Sequence, residues 1–463
     1  MRLRTAAMAL TLVVTVPPGL LATEERPAEK VEVGPSASPK VSVPLGSLPT
    51  ALQPNPYVDK AEDRVNPLAF EPDQGRRGTW GRSSVPDDLL AAAGYNPGHR
   101  TPTPLLTFAG TGNPTGCNGC SPPDTVGDVG PKHYVQMVNA TKVAVYDKGG
   151  ALLFGPTDLS NFWSSGACTA DLGDPVVVYD PLADRWVLAQ FNGAATLCFA
   201  VSQTADPLGS YFIYAFTTTD FPDYFKVAVW PDGYYVSTNE SNYNAWAFDR
   251  VKMLQGLAAT SQKASGFADN LLMPADIDGL VAPPPGAPAI YYTFLDNSFH
   301  GGTDRLELRA FHVDWVTPAN STFTVVGSPA VTAFTYTVCG FFNLSCATQP
   351  GTTQKVDVVS EWPMFRLAYR RFGDHEGLVG TFTVPSGGRA APRWFELRGS
   401  VTSWTLYQEG TYDPDATAHR FMGSIAQDRE GSIALGYSAM SGTVSPAIRF
   451  ATRLALEIGR AHV

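Results

Sequence analysis

The chain of 463 residues carries 33 Lys and Arg against 43 Asp and Glu, a net charge of −10. That balance, with no Lys/Arg cluster, argues against nucleic acid as a partner, because phosphate binding needs a basic face. Hydrophobic residues at 44% and aromatics at 11% exclude a disordered or fibrous chain, and 43 Gly with 38 Pro foretell many turns.

Residues 1–22 read MRLRTAAMALTLVVTVPPGLLA. Arg2 and Arg4 precede an apolar run from Ala6 to Val16, then Pro17, Pro18 and Gly19, with small Ala22 at a plausible cleavage point. This order is that of a secretory signal peptide. The run is too short to cross a bilayer, which takes about 20 residues. The expectation is therefore a secreted protein, extracellular or periplasmic, with no membrane span after cleavage.

From Thr23 to about Pro104 the chain is rich in Pro, Ser, Ala and charge, and reads as a largely irregular linker or pro-region. Within it, Asp87–Ala93 could form a helical turn or two.

Six cysteines follow, an even number, and in an exported chain disulfides are the default. Their spacing suggests the local pairs Cys117–Cys120, Cys168–Cys198 and Cys339–Cys346. The CNGC at 117–120 has no second pair of ligands for zinc and lies in a Gly/Pro-rich loop, which favours a structural disulfide over redox or metal chemistry.

Between about Leu105 and Leu456, short runs of Val, Ile, Tyr, Phe, Trp and Thr alternate with Gly, Pro, Asn and Asp, the pattern of strands and turns. Only Arg250–Ala259 has helical character. Strand–turn–strand units recur with turns at Gly130, Asp184, Asp232, Pro285, Asp374 and Arg429. The steps are close to about 50 residues except for one longer interval, which holds an insertion carrying Cys339 and Cys346. A period of that size with several strands per unit predicts an all-β fold, a β-propeller. One four-stranded sheet cannot bury both its faces alone; radial packing covers them against neighbours.

The runs PPDTVGDVGPKHYVQMVN, GDPVVVYDPLADRWVLAQF, DPLGSYFIYAF, FPDYFKVAVWPDGYYVSTN, FRLAYRRFGDHEGLVGTFTV, RWFELR and RFMGSIAQDREGSIALGYS resemble, in order, a family of large exported bacterial proteins without an established function. The resemblance covers about residues 105–455 and implies no activity and no catalytic residues. It implies further sequence after the RFATRLA region, with an R-W-G-D-Y-S motif. Here the chain reads Glu457-Ile458-Gly459-Arg460-Ala461-His462-Val463, which can be encoded by a stretch containing the start of a common sequencing adapter. The expectation is a non-native tail at 457–463, and a ring of seven blades whose last is missing.

Aligning the units puts Asp124, Asp174, Asp223 and Asp276 near the opening of each inner strand, with Glu361 and Arg420 as looser equivalents. These six are the candidate axial ligand-binding residues. The four aspartates could hold calcium through oxygen ligands, or each could cap its own turn. No catalytic motif is present. Asp374-His375-Glu376 lacks the second His of a zinc protease and falls at a turn; no G-x-S-x-G elbow or phosphate loop occurs. Asp180–Trp186 (DPLADRW) bears only a faint likeness to a sialidase turn. The sequence thus favours an extracellular binding or scaffold module for a glycan or protein ligand. The alternative is a sialidase-like glycoside hydrolase.

Overall fold

The computed structural model describes residues 31–50, 104–112, 122–139, 142–160, 162–163, 167–169, 173–265, 270–340, 345–401 and 403–455. The signal-peptide region, residues 51–103, Cys117, Cys120 and the tail at 457–463 lie outside them.

Two short strands come first, β1 (Val31–Val33) and β2 (Lys40–Val41), and then six antiparallel units in chain order. The first holds β3 (Val126–Val129), β4 (His133–Val138), β5 (Lys142–Asp147) and β6 (Leu152–Asp158). The second holds β7 (Gly173–Asp180), β8 (Arg185–Phe191), β9 (Thr196–Ser202) and β10 (Tyr211–Thr217). The third holds β11 (Asp223–Trp230), β12 (Gly233–Asn239), β13 (Tyr243–Phe248) and β14 (Ser261–Ser265). In the fourth are β15 (Met273–Ile277), β16 (Ala289–Leu295), β17 (Arg305–His312) and β18 (Thr322–Gly327). The fifth contains β19 (Leu367–Arg371), β20 (Glu376–Ser386), β21 (Arg389–Ser400) and β22 (Ser403–Thr411). The sixth contains β23 (His419–Gln427), β24 (Ile433–Met440) and β25 (Ala447–Arg453).

The first strand of each unit packs beside the first strand of the next, from β3 through β23. Between the fourth and fifth units this contact becomes parallel pairing, with Ala275 opposite Leu367 and Ile277 opposite Tyr369. This is a propeller-like arrangement of sheets about a common axis. The seventh sheet expected from the sequence is not among the described residues. All six turn positions anticipated from the sequence fall in the connection between the first and second strands of their units.

Burial on two faces explains why these strands read as nearly continuous apolar runs. In β12 every residue is buried. Tyr234 and Val236 join Phe199 and Phe216 of the second unit, while Tyr235 on the opposite face joins Tyr291 and Phe311 of the fourth. The units are also tied by charge. The Asp180 carboxylate accepts hydrogen bonds from the backbone of Leu182 and Ala183, from Tyr234 Oη and from Arg250. Arg250 opens the short helix Arg250–Leu254, capped by Asp249; the sequence predicted helix as far as Ala259, but the chain leaves it after Leu254.

Residues 31–50 bind the rim. β1 extends the third unit along β14, β2 extends the second along β10, and Leu45 and Leu48 enter the core between the first two units. Two of the anticipated disulfides are formed, Cys168–Cys198 and Cys339–Cys346. Such bonds persist in oxidising compartments. No described helix is long and apolar enough to cross a membrane.

Candidate functional site

The inner strands of the first three units begin with irregular backbone. Asp124, Asp174 and Tyr224 occupy the left-handed region, with φ of 36°, 42° and 47°. Pairing shifts register at the same places, between Gly173 and Val176 and between Asp223 and Lys226. A bulge re-aims side chains at the end of a strand. Aspartate tolerates positive φ through local hydrogen bonding, whereas a bulky Tyr does so only when its surroundings impose it.

Those surroundings are visible. The Tyr224 ring lies 4.6 Å from the Trp362 ring, and its hydroxyl donates to the carbonyl of Pro363 at 3.3 Å. Asn139, fully buried, joins two units: its Nδ2 donates to Asp124 Oδ2 at 2.7 Å, and its Oδ1 accepts from the backbone of Asp174 at 3.3 Å. Asn239, which ends β12, donates to Asp223 Oδ2 at 3.2 Å.

Lys226 completes this group. Its ammonium sits 3.8 Å above the Tyr224 ring and donates to the carbonyl of Phe225. Burial pushes its pKa down, opposed by the charges of Asp174, Asp124 and Asp223. The charges of three of the expected aspartates therefore bear on one lysine where the inner strands begin. An aromatic ring and buried amides hold them in place.

The fourth, Asp276, lies elsewhere. It is near the end of β15, not before its start, because the hairpin turn of this unit follows it at 278–288. Its Oδ1 accepts the backbone N–H of Val229 at 2.7 Å, and its Oδ2 lies 3.1 Å from Arg366 Nη1. Arg366 also meets Asp128 of β3 at 3.1 Å and Asp278 at 3.7 Å. Asp128 in turn accepts the N–H of Tyr179 at 2.7 Å. Burial raises Asp276 to about 7 and Asp278 to about 6, with Arg366 pulling both back. Burial also opposes the charge of Arg366, but Asp128, Asp276 and Asp278 hold its pKa above the usual value.

The looser equivalents are engaged locally. Glu361 is buried in the segment before β19; its carbonyl accepts from Asn270, and its charge bears on Tyr243 and Tyr336. Arg420 is buried against the loop that leads into its own strand, bonded to Asp415 Oδ2 at 2.6 Å and to the carbonyl of Ala418. Asp374 is exposed and paired with His375, at the turn between β19 and β20. Among the described residues no group of three or more His, Cys, Asp and Glu is arranged to hold a metal.

Sequence reasoning missed Lys226, Tyr224, Asn139, Asp128, Asp278 and Arg366. A signal existed for three of them. Asp128 in TVGDVG and Arg366 in PMFRLAY are lone charges in apolar sequence, and Lys226 in DYFKVAVW lies among apolar residues three places after Asp223. Such charges are almost never buried unless paired, so each one implies a partner.

No family model matches the chain, and no curated protein matches it. Solved structures similar in outline include an α-L-arabinanase of Penicillium chrysogenum complexed with arabinobiose. It is 12% identical, covers 72% of this chain and 93% of its own, and has a TM-score of 0.33. An endo-arabinanase from Bacillus licheniformis is 10% identical over 74% of this chain and 97% of its own, with a TM-score of 0.29. Extracellular domains 1–2 of Drosophila Semaphorin 1b are 7% identical over 71% and 77%, with a TM-score of 0.35. At these scores the likeness carries no argument about function.

Proposed function

We propose that this chain is a secreted recognition or scaffold module that binds a glycan or protein ligand at the opening of its axis. One observation supports the reading: at the start of three consecutive inner strands Asn139 bridges Asp124 and Asp174, Asn239 holds Asp223, and Lys226, on which all three charges bear, sits over the Tyr224 ring. Carboxylates accept hydrogen bonds from ligand hydroxyl or amide groups, an ammonium donates them, and an aromatic ring covers an apolar face. The amides of Asn139 and Asn239 orient the carboxylates beforehand, which lowers the ordering cost of binding. The formed disulfides support an oxidising compartment, in agreement with the signal-peptide reading of residues 1–22.

Hydrolysis of an extracellular glycan is the second reading, favoured by a different observation. Asp276 is raised to about 7 and shares Arg366 with Asp278 and Asp128. A carboxyl kept protonated near neutrality beside other carboxylates is the arrangement a general acid needs.

A glycan array and a panel of chromogenic glycosides, applied to the same preparation, separate the two. The recognition reading expects retention of at least one glycan class or a protein ligand, weakened about tenfold or more by Asp174→Asn, with no release of chromophore. Release of chromophore that disappears in Asp276→Asn overturns it in favour of hydrolysis.

A further inference from the structure

Units five and six meet at a histidine. His419 opens β23, opposite Met440, and its Nδ1 accepts the backbone N–H of Ala390, near the start of β21, at 3.2 Å. An imidazole nitrogen that accepts a hydrogen bond carries no proton, so this bond exists only for the neutral ring.

The surroundings favour that neutral form. Burial pushes the pKa of His419 down, and the charges of Arg389 and Lys355 push the same way. The carboxylates nearby are already committed. Asp413 lies 3.3 Å from Arg389 Nη2 and 3.4 Å from Arg420 Nη1, and Asp415 lies 2.6 Å from Arg420 Nη2. Burial opposes the Asp415 charge, but bonds from Thr417 and Arg420 hold its pKa at about 2. Arg389 gives its Nη1 to the carbonyl of Gly387, and its buried Nε has no acceptor among the described residues. A protonated ring would bring one more donor and one more positive charge to a place short of acceptors.

The bond to Ala390 holds more than two strands. Ala390 belongs to a small apolar cluster with Val338, Cys346, Ala347 and Val358 of the insertion and with Phe421 and Met440 of the sixth unit. This cluster is separate from the larger one that joins Trp394 and Tyr412 to Ile425, Leu435 and Tyr437. Backbone pairing within the insertion joins Ala347 to Val356, and the small cluster seats that loop on units five and six. A segment held by so few apolar contacts can open without the rest of the fold.

We propose that His419 is an acid-sensitive latch: protonation of its ring breaks the bond to Ala390 and releases residues 345–358 from the fifth and sixth units. The direction follows from linkage. An open segment leaves His419 with an ordinary pKa near 6.5, whereas the closed one holds it lower. Below about pH 6.5 the open form therefore binds a proton that the closed form refuses, and each further pH unit favours opening by up to about tenfold, until the pH reaches the pKa of the closed form. Asp276 and Asp278 act in the opposite sense over this range, since burial raises both. Opening in acid is thus a signature that those two carboxyls do not produce.

Amide hydrogen exchange on the full chain, corrected for the intrinsic pH dependence of exchange, tests the latch. Protection of residues 345–358 and of the start of β21 should fall about tenfold or more between about pH 7.5 and about pH 5, while β12 keeps its protection. His419→Gln retains an acceptor for the Ala390 N–H but does not titrate, so its protection should be the same at both pH values. Lys355→Gln, at an exposed side chain, removes a charge that disfavours the imidazolium and should move the midpoint of opening to higher pH. Protection in the parent that does not change with pH overturns the proposal, as does a His419→Gln chain that opens in acid like the parent. A midpoint moved to lower pH by Lys355→Gln also overturns it, and that variant serves as the test if His419→Gln does not fold.

Discussion

Arg366, immediately before the first strand of the fifth unit, places its guanidinium 3.1 Å from Asp128 of the first unit and 3.1 Å from Asp276 of the fourth. One side chain thus joins units whose sequences are more than two hundred residues apart.

Removing it should be costly. Arg366→Ala leaves Asp128, Asp276 and Asp278 facing one another without their counter-ion, and breaking a buried pair from one side costs on the order of 3 kcal/mol. The urea midpoint should fall accordingly, with the slope unchanged. Adding Asp128→Asn to the Ala variant should recover part of the loss, since the two residues are coupled. Additive losses in the double variant would show that the contact is not energetically shared.

Acidity provides a second handle. Asp276 is raised to about 7 in the folded chain, against an ordinary value near 3.9 in the unfolded one. Between about pH 4 and pH 7 the folded state keeps a proton that the unfolded state has released, so stability falls as pH rises through that window. Asp278, raised to about 6, adds to the slope between about pH 4 and pH 6. Each group contributes up to about 1.4 kcal/mol per pH unit there. Asp276→Asn should flatten the profile, and melting temperatures from pH 4 to pH 8 for parent and variant measure the difference. Parallel profiles would remove Asp276 from the account.

The disulfides should differ in weight. Cys168–Cys198 closes a loop of 30 residues and sits in the core between the first and second units. Cys339–Cys346 closes a loop of 7. Loop-closure entropy assigns about 3–4 kcal/mol to the first and about 2 kcal/mol to the second. Paired Cys→Ala substitutions at each site, compared by thermal melting, should show that order.

At the opening of the axis, Lys226→Met removes the positive charge among Asp124, Asp174 and Asp223. The expected outcome is a fold that persists with a lower melting temperature, and weaker ligand retention on the glycan array. An unchanged array would detach Lys226 from binding.

Much of the architecture was legible before any coordinates. The turns at Gly130, Asp184, Asp232, Pro285, Asp374 and Arg429 could be read because turn chemistry is local. The helix beginning at Arg250 was legible from the helical character of residues 250–259, although it ends at Leu254. The misplacement of Asp276 has an equally physical origin. In the fourth unit the connection after β15 is long, so aligning on the acidic residue put the strand after Asp276 when it precedes it.

What the sequence by itself determined is the succession of strands and turns, their spacing, and the pairing of nearby cysteines, because all of these depend on residues close in the chain. What only the tertiary structure decided is which charges meet. Asp124, Asp174 and Asp223 share Lys226, while Asp276 joins Asp128, Asp278 and Arg366. Those partners come from different units, and the period of the repeat does not encode their registry about the axis. Packing of the buried faces sets that registry, and with it the meeting of three carboxylates, an ammonium and an aromatic ring where the inner strands of the first three units begin.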